Sequence, residues 1–343
     1  PKDEVTPGLL QILHAKPAQP ARLEGRETTG RRAALAALLT DPENPLTARV
    51  TVNRFWSEIF GVGLVKTAED FGTTSEAPSN QALLDWLAVE FQASGWDVQH
   101  LFELIVTSST YRQSAEVTPE KLERDPQNRF LSRGPRFRMD AEMVRDYALA
   151  ASGLLVEKVG GPSVKPYQPD GVWEAVAMPE SNTRKYQRDT GNALYRRSLY
   201  TFWKRAAPPA TMDIFNAPSR EVYNVRRERT NTPLQALATL NDPQFVEAAR
   251  HLAELALARP RDEDAIDEMA QRLLSRPLTA KEQAIVRQTL GEMKTFYEQQ
   301  PEAAKELIHI GESKPSENLP VPKLAAMTMV ANQLMNLDEA LNK

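Results

Sequence analysis

Apolar residues recur every three or four positions along most of this chain, which is the pattern of helices with one buried face. RRAALAALLT predicts a first helix over about 30–40. Asn44 and Pro45 form a cap and first-turn pair for a second, LTARVTVNRFWSEIF. There Leu46, Val50, Asn53, Trp56 and Phe60 share one stripe, so an amide stands among apolar side chains. A buried amide without partners costs about 1–3 kcal/mol. Asn53 must therefore tie down a neighbouring loop or face a ligand. The loop GVGLVKTAEDFGTTSEAPS follows, with Ser79 expected to cap the helix NQALLDWLAVEFQASG. Helices are further expected at 97–110, at 118–124 after Thr118-Pro119, and over MDAEMVRDYALAASGLL behind an Asp140 cap. The C-terminal half predicts five more, at 233–241, 243–258, 263–274, 280–299 and 320–340. Thr279 and Glu282 form a capping box for the fourth of these.

Two stretches break the pattern. Residues 1–30, with Pro1, Pro7, Pro17 and Pro20, read as an extended arm. Residues 157–195 are rich in Gly, Pro, Asn and Asp, and an irregular segment of that length is commonly functional or disordered. Just after it RRSLYTFWK, 196–204, has strand character and is expected to pair with VWEAVAM, 172–178. The pattern therefore predicts a mainly α, multi-helix globular fold with a small β element in a loop-rich middle. Residues 31–343 form one large domain in this reading, with a sub-boundary allowed within 157–195.

Composition narrows the chemistry. No window approaches the roughly 18 unbroken apolar residues of a membrane span, so none is expected. The chain has no cysteine, which excludes disulfides, thiolate zinc sites, thiol nucleophiles and thioether attachment of haem. Its four histidines, His14, His100, His251 and His309, are scattered, so no histidine-rich metal site is expected and only an all-carboxylate calcium site stays open. Walker loops, dinucleotide fingerprints and G-x-S-x-G are missing, as is any nucleic-acid-binding module, so no nucleic-acid partner is expected. The start, PKDEVTPG, lacks both an initiator Met and a signal segment, and the chain is expected to be a portion of a longer polypeptide.

Charge is distributed unevenly. The 343 residues carry a net charge of −4, yet 184–229 holds eleven basic residues against four acidic ones. That surplus of seven leaves −11 on the remainder. A basic middle in an acidic protein points to an anionic partner, or to docking on an acidic part of the same protein. The surplus culminates in RRERTNTPLQALATLNDPQF, 226–245, where Thr232, Pro233 and Gln235 write a capping box at a helix start. A helix N-terminus attracts anions, and Arg226, Arg227 and Arg229 add to that field. Cations there disfavour the helix itself, so something negative should face them. It is either an external anion or internal carboxylates, with Asp70, Asp140 and Glu142 as the candidates. Within RGPRFRMDAEMVRD, Asp140 and Glu142 are also weak candidates for acid–base chemistry on a glycoside, although a cap and a first-turn residue explain both. In the long loop Trp173 and Tyr186 either stack on sugar rings or pack the loop onto the body.

NPLTARVTVNRFWSEIFGVGLVKTAEDFG, PSNQALLDWLA, SSTYRQSA, RFRMDAEMVRD, GGPSV, YRRSLYTFWKR, FNAPSREVYNVRRERTNTPLQALATLNDPQFVEAARHLAE and ANQLMNLDEAL occur in this order. Together they resemble the uncharacterised C-terminal domain of large secreted proteins expanded in planctomycetes and their relatives. The resemblance runs almost end to end. It implies export to the periplasm, cell surface or medium, and a c-type haem in an upstream domain. It implies no assigned activity. Tyr223 stands where the family's pattern leads one to expect a cysteine, which counts against shared thiol chemistry.

The combined expectation is a binding or scaffold domain beside a cytochrome-bearing region, without a cofactor of its own. Its ligand surface would comprise Arg197, Arg226, Arg227, Arg229, Asn231 and Thr232, joined by Asn53 and Arg54. The arginines would make charge-assisted contacts to carboxylate, sulfate or phosphate, with an anionic polysaccharide as the natural extracellular partner. Two alternatives stand beside it: a polysaccharide hydrolase or lyase using a carboxylate of Asp70, Asp140 or Glu142 as acid or base, and a structural module docking onto the upstream domains.

Overall fold

A computed structural model of the chain describes residues 29–342. The arm expected over 1–30 lies almost wholly outside the described residues. The chain divides into two compact units, Pro1–Arg136 and Phe137–Lys343, and the 157–195 stretch falls inside the second.

The first unit is built from α1 (Arg31–Leu39), α2 (Thr47–Phe60), α3 (Gln81–Ala93), α4 (Val98–Val106), α5 (Ser109–Arg112) and α6 (Pro119–Arg124). Asn44 Oδ1 accepts from the amides of Leu46 and Thr47, which opens α2 as the Asn-Pro pair predicts. The apolar stripe of α2 packs Val52, Trp56, Ile59 and Phe60 against Leu84, Leu87 and Phe91 of α3 and Leu101 and Ile105 of α4. Each fully buried leucine or phenylalanine contributes about 1.5–3 kcal/mol. Asn53 is buried in that core and pins the following loop. Its Nδ2 donates to the Val65 carbonyl at 2.9 Å, and its Oδ1 accepts from the Val65 amide at 2.8 Å. The cap of α3 is Asn80 rather than Ser79: its side chain accepts from Leu83, while the Ser79 amide donates to Leu64 in the loop. The helix expected over 97–110 is likewise two helices, because Ser108 caps a new turn.

The second unit holds α7 (Ala141–Ala151), α8 (Val172–Val176), α9 (Ala210–Ile214), α10 (Pro233–Asn241), α11 (Pro243–Ala256), α12 (Asp262–Leu274), α13 (Ala280–Gln299), α14 (Pro301–Ile308), α15 (Val321–Met335) and α16 (Asp338–Leu341). At its centre α11 packs on α15, which also receives α13 and α14. Ala248, Ala249 and Ala253 on α11 and Ala325, Ala326 and Ala331 on α15 are wholly buried. Small side chains let the backbones approach closely, and both helices bury most of their length. The fold is mainly α, as its periodicity predicts.

The β element is smaller than expected. The 196–204 segment runs through a 3₁₀ turn at Ser198–Tyr200 and makes single bridges, Arg196 with Val156 and Thr201 with Val164. The segment expected to pair with it is helix α8, opened by Gly171 in the left-handed region at φ 79°. A physical reason is visible beside it. The buried Arg145 guanidinium takes the Leu194 and Arg196 carbonyls at 2.6 and 2.8 Å, so a side chain occupies acceptors that a neighbouring strand would need.

Candidate functional site

The arginines of 226–229 meet the start of α7. Arg227 Nη1 lies 2.5 Å from Glu142 Oε2 and its Nε lies 3.9 Å from Asp140. Arg229 Nε lies 3.3 Å from Asp140 Oδ1, and its guanidinium covers the Phe137 ring at 4.4 Å. Asp140 stands at the N-cap of α7 without accepting a backbone amide there, because its carboxylate faces the arginines. Two of the three carboxylates considered for catalysis, Asp140 and Glu142, are thus engaged in an internal ion-pair network. Arg226, Arg197 and Asn231 are exposed. Thr232 caps α10 by accepting from the Gln235 amide, but Gln235 turns away to donate to Ile214 and Thr230, so the reciprocal half of the expected box is not made.

The remaining expected site residues belong to the first unit. Asn53 is committed to Val65, which removes it as a ligand contact, and Arg54 is an exposed neighbour on α2. Asp70 accepts from Thr74 Oγ1 at 2.6 Å and from the Gly72 amide at 2.7 Å. Those two bonds hold its carboxyl below the usual range and make it a turn-closing group.

A cleft of about 660 Å³ in the second unit brings together residues from three separate stretches. The loop after Lys165 contributes Tyr167, Gln168, Pro169 and Asp170, with Tyr186 and Arg188 further on. Thr211 and Ile214 come from α9, and Leu234, Leu237, Asn241 and Asp242 from α10 and its junction with α11. The far end of 226–245 therefore lines a cavity, while its arginines are held on α7. A volume of this size suits a ligand of one or two sugar rings and lies within the usual range for small-molecule sites.

Each polar group there is set by its neighbours. Asp242 caps α11 by accepting from Gln244 and also accepts from Thr211 Oγ1 at 2.5 Å. Burial pushes its carboxyl up, and these two bonds and Arg145 oppose the rise. Burial in turn pulls the Arg145 guanidinium down to about 10, so it stays charged at neutral pH. Tyr186 donates to the Pro166 carbonyl and meets the buried Trp173 ring edge-on, 4.8 Å between centroids. Both loop aromatics thus serve packing. Tyr167 donates to Glu247 Oε2 at 2.8 Å, and Arg188 lies over its ring at 4.8 Å while pairing with Glu312 at 3.3 Å. Two groups are left over: Gln168 Nε2 has no partner, and among the described residues neither does the exposed Asp170 carboxylate. Leu234 and Leu237 expose more than half of their surface on the same wall.

Beneath the cleft sits a buried carboxylate that the periodicity hides. Glu247, 1% exposed on α11, accepts from Tyr167, Tyr195, the amides of Glu312 and Ser313, and Ser313 Oγ. Arg250, wholly buried one turn on, binds Glu254 and Ser313. This network fixes both the 311–313 segment and the tyrosine at the cleft. In sequence the signs of the site were the irregular 157–195 stretch and the helix start within 226–245. Nothing local marks Gln168, Asp170 or Glu247, because their convergence is a property of packing.

With the fold and cleft described, the class is a mainly helical domain whose second unit carries a largely apolar cleft with a few polar groups on its wall. A family model described as PSD1, protein of unknown function (DUF1553), matches residues 31–290, and the chain belongs to that family. No curated protein and no solved structure matches it. Among the described residues no cluster of His, Asp or Glu is placed to hold a metal ion, and no helix is long and apolar enough to cross a membrane.

Proposed function

We propose that this chain is a ligand-binding module of a larger exported protein and that its ligand is a carbohydrate held in the Tyr167–Asp242 cleft. The observation that carries this reading is the composition of the cleft wall. Exposed leucines and prolines line the same cavity of about 660 Å³ as side chains without partners among the described residues. A pyranose offers an apolar face to such a wall and hydroxyls to Gln168, Asp170 and Asn241. The arginine reading loses its main carriers, since Arg227 and Arg229 already have carboxylate partners. The place of the module beside a haem-bearing region rests on the resemblance of its motifs and is part of the proposal.

Calorimetric titration with short neutral, uronate and amino-sugar oligosaccharides tests the reading. Binding of any of them that is lost in Leu237→Arg, with the fold unchanged by circular dichroism, supports it. Binding that persists in Leu237→Arg but fails in Arg226→Ala would return the site to the basic loop. Assay of the same mixtures for new reducing ends tests whether binding leads to turnover.

A further inference from the structure

Resting on the cleft as the binding site, we infer that the preferred ligand is a sugar bearing a free amine, whose ammonium pairs with Asp170. The inference comes from the charges that the fold places around the cavity. Its wall carries two carboxylates, Asp170 and Asp242, and one cation, Arg188. Arg188 is already occupied, with Glu312 at 3.3 Å on one side and the Tyr167 ring beneath it. Behind Asp242, Arg145 serves Asp146 as well, at 3.8 Å, and spends its remaining donors on Gln244 and on the carbonyls of Leu194 and Arg196. Arg188 thus answers Glu312, Arg145 answers Asp146 and Asp242, and the deeper Glu247 has Arg250 beside it, while Asp170 is the carboxylate of the wall without a partner among the described residues.

An anionic ligand would bring a further negative charge to a wall whose one cation among the described residues, Arg188, is already paired. A neutral sugar would leave Asp170 to water. A primary ammonium supplies the missing counter-charge with up to three donors, and the adjoining ring can lie on Leu234 and Leu237. The basic surplus of 184–229 does not oppose this, because of its eleven basic residues Arg188 alone lines the cleft among the described residues, and Arg227 and Arg229 are folded onto Glu142 and Asp140. The cleft is acidic within a segment whose sequence is basic.

The test is calorimetric titration of the whole chain, at mildly acidic pH, with tetramers of glucosamine, N-acetylglucosamine and galacturonate. Because Asp170 is exposed, the glucosamine tetramer should bind about fivefold tighter than its N-acetylated counterpart, with the gap narrowing as salt is added. In Asp170→Asn that ratio should fall to about one, while Asp213→Asn, an exposed carboxylate of α9 outside the wall, should keep it. Equal binding of charged and neutral tetramers, or preference for galacturonate, would overturn the amine assignment and leave the cleft standing. Tighter capture of a lysine pentamer would overturn the sugar. Silence with all three tetramers would remove the cleft reading itself.

Discussion

Arg227 and Glu142 meet at 2.5 Å across 85 positions of sequence, and the contact decides how the basic loop is to be understood. Arg229 reaches Asp140 beside it, and the Asp140 side chain is only 10% exposed. The loop that looks from its sequence like an anion trap has its anions supplied by the first turn of α7.

Asp140→Ala should therefore act on stability. It removes the carboxylate beside Arg229 and the longer of the two contacts of Arg227, which keeps Glu142, and the expected loss is about 1–2 kcal/mol, between the values for exposed and buried pairs. Urea denaturation measures it. Unchanged stability together with new heparin affinity would mean that the arginines serve an external anion.

Asn53→Ala should cost about 2–3 kcal/mol, because the Val65 amide and carbonyl both lose their partner inside a closed core. Gly63→Ala should act on the same contact, since a Cβ there would stand 2.6 Å from both Asn53 Nδ2 and the Val65 carbonyl. Hydrogen exchange should show the 61–72 loop losing protection in both variants, and protection retained in either one would refute the role assigned to Asn53.

Gly311→Ala should be among the most damaging single changes, costing about 3 kcal/mol or more. Its φ of +99° lies where side chains strain the backbone, and a Cβ would press into the Glu247 carboxylate. Thermal melting should fall by several degrees, and the amides of Glu312 and Ser313 should exchange faster as they leave Glu247. A wild-type melt would show that this segment tolerates displacement.

Alkaline pH should weaken the second unit. Burial, then the hydrogen bond to Glu247, pushes the Tyr195 phenol from its ordinary value of 10.0 up to about 12. A folded-state pKa above the unfolded one gives stability that is complete below pH 10 and disappears as pH rises through 12. Tyr167 shifts in the same direction, by burial and the same carboxylate. Denaturant midpoints measured across that window should fall, with phenolate absorbance rising as the unit opens. Tyr195→Phe should flatten part of the slope, and an unchanged slope would remove Tyr195 as a contributor.

How much of this was legible beforehand follows from the range of each interaction. The Asn44 cap, the helix starting at Pro233 and the capping box of Thr279 and Glu282 depend on residues within one turn, and the sequence states them. Ser79 was misread because Asn80, one position on, offers an equally good acceptor, and the loop contact of Ser79 with Leu64 decides between them. The strand expected at 196–204 failed for a longer-range reason, since its neighbouring carbonyls go to Arg145 across about fifty positions.

By itself, then, the sequence determined a helical protein with its caps, its apolar faces, its lack of thiol chemistry and an irregular segment long enough to hold a site. These are consequences of periodicity and composition, which act over a few residues. Only the tertiary structure decided which charges are already paired. It set Arg227 and Arg229 against Glu142 and Asp140, put Glu247 and Arg250 inside the core, and left Asp170 in a cleft, unmatched among the described residues. Electrostatic partnership falls off over a few ångströms of space, whatever the separation along the chain, and packing alone sets that distance.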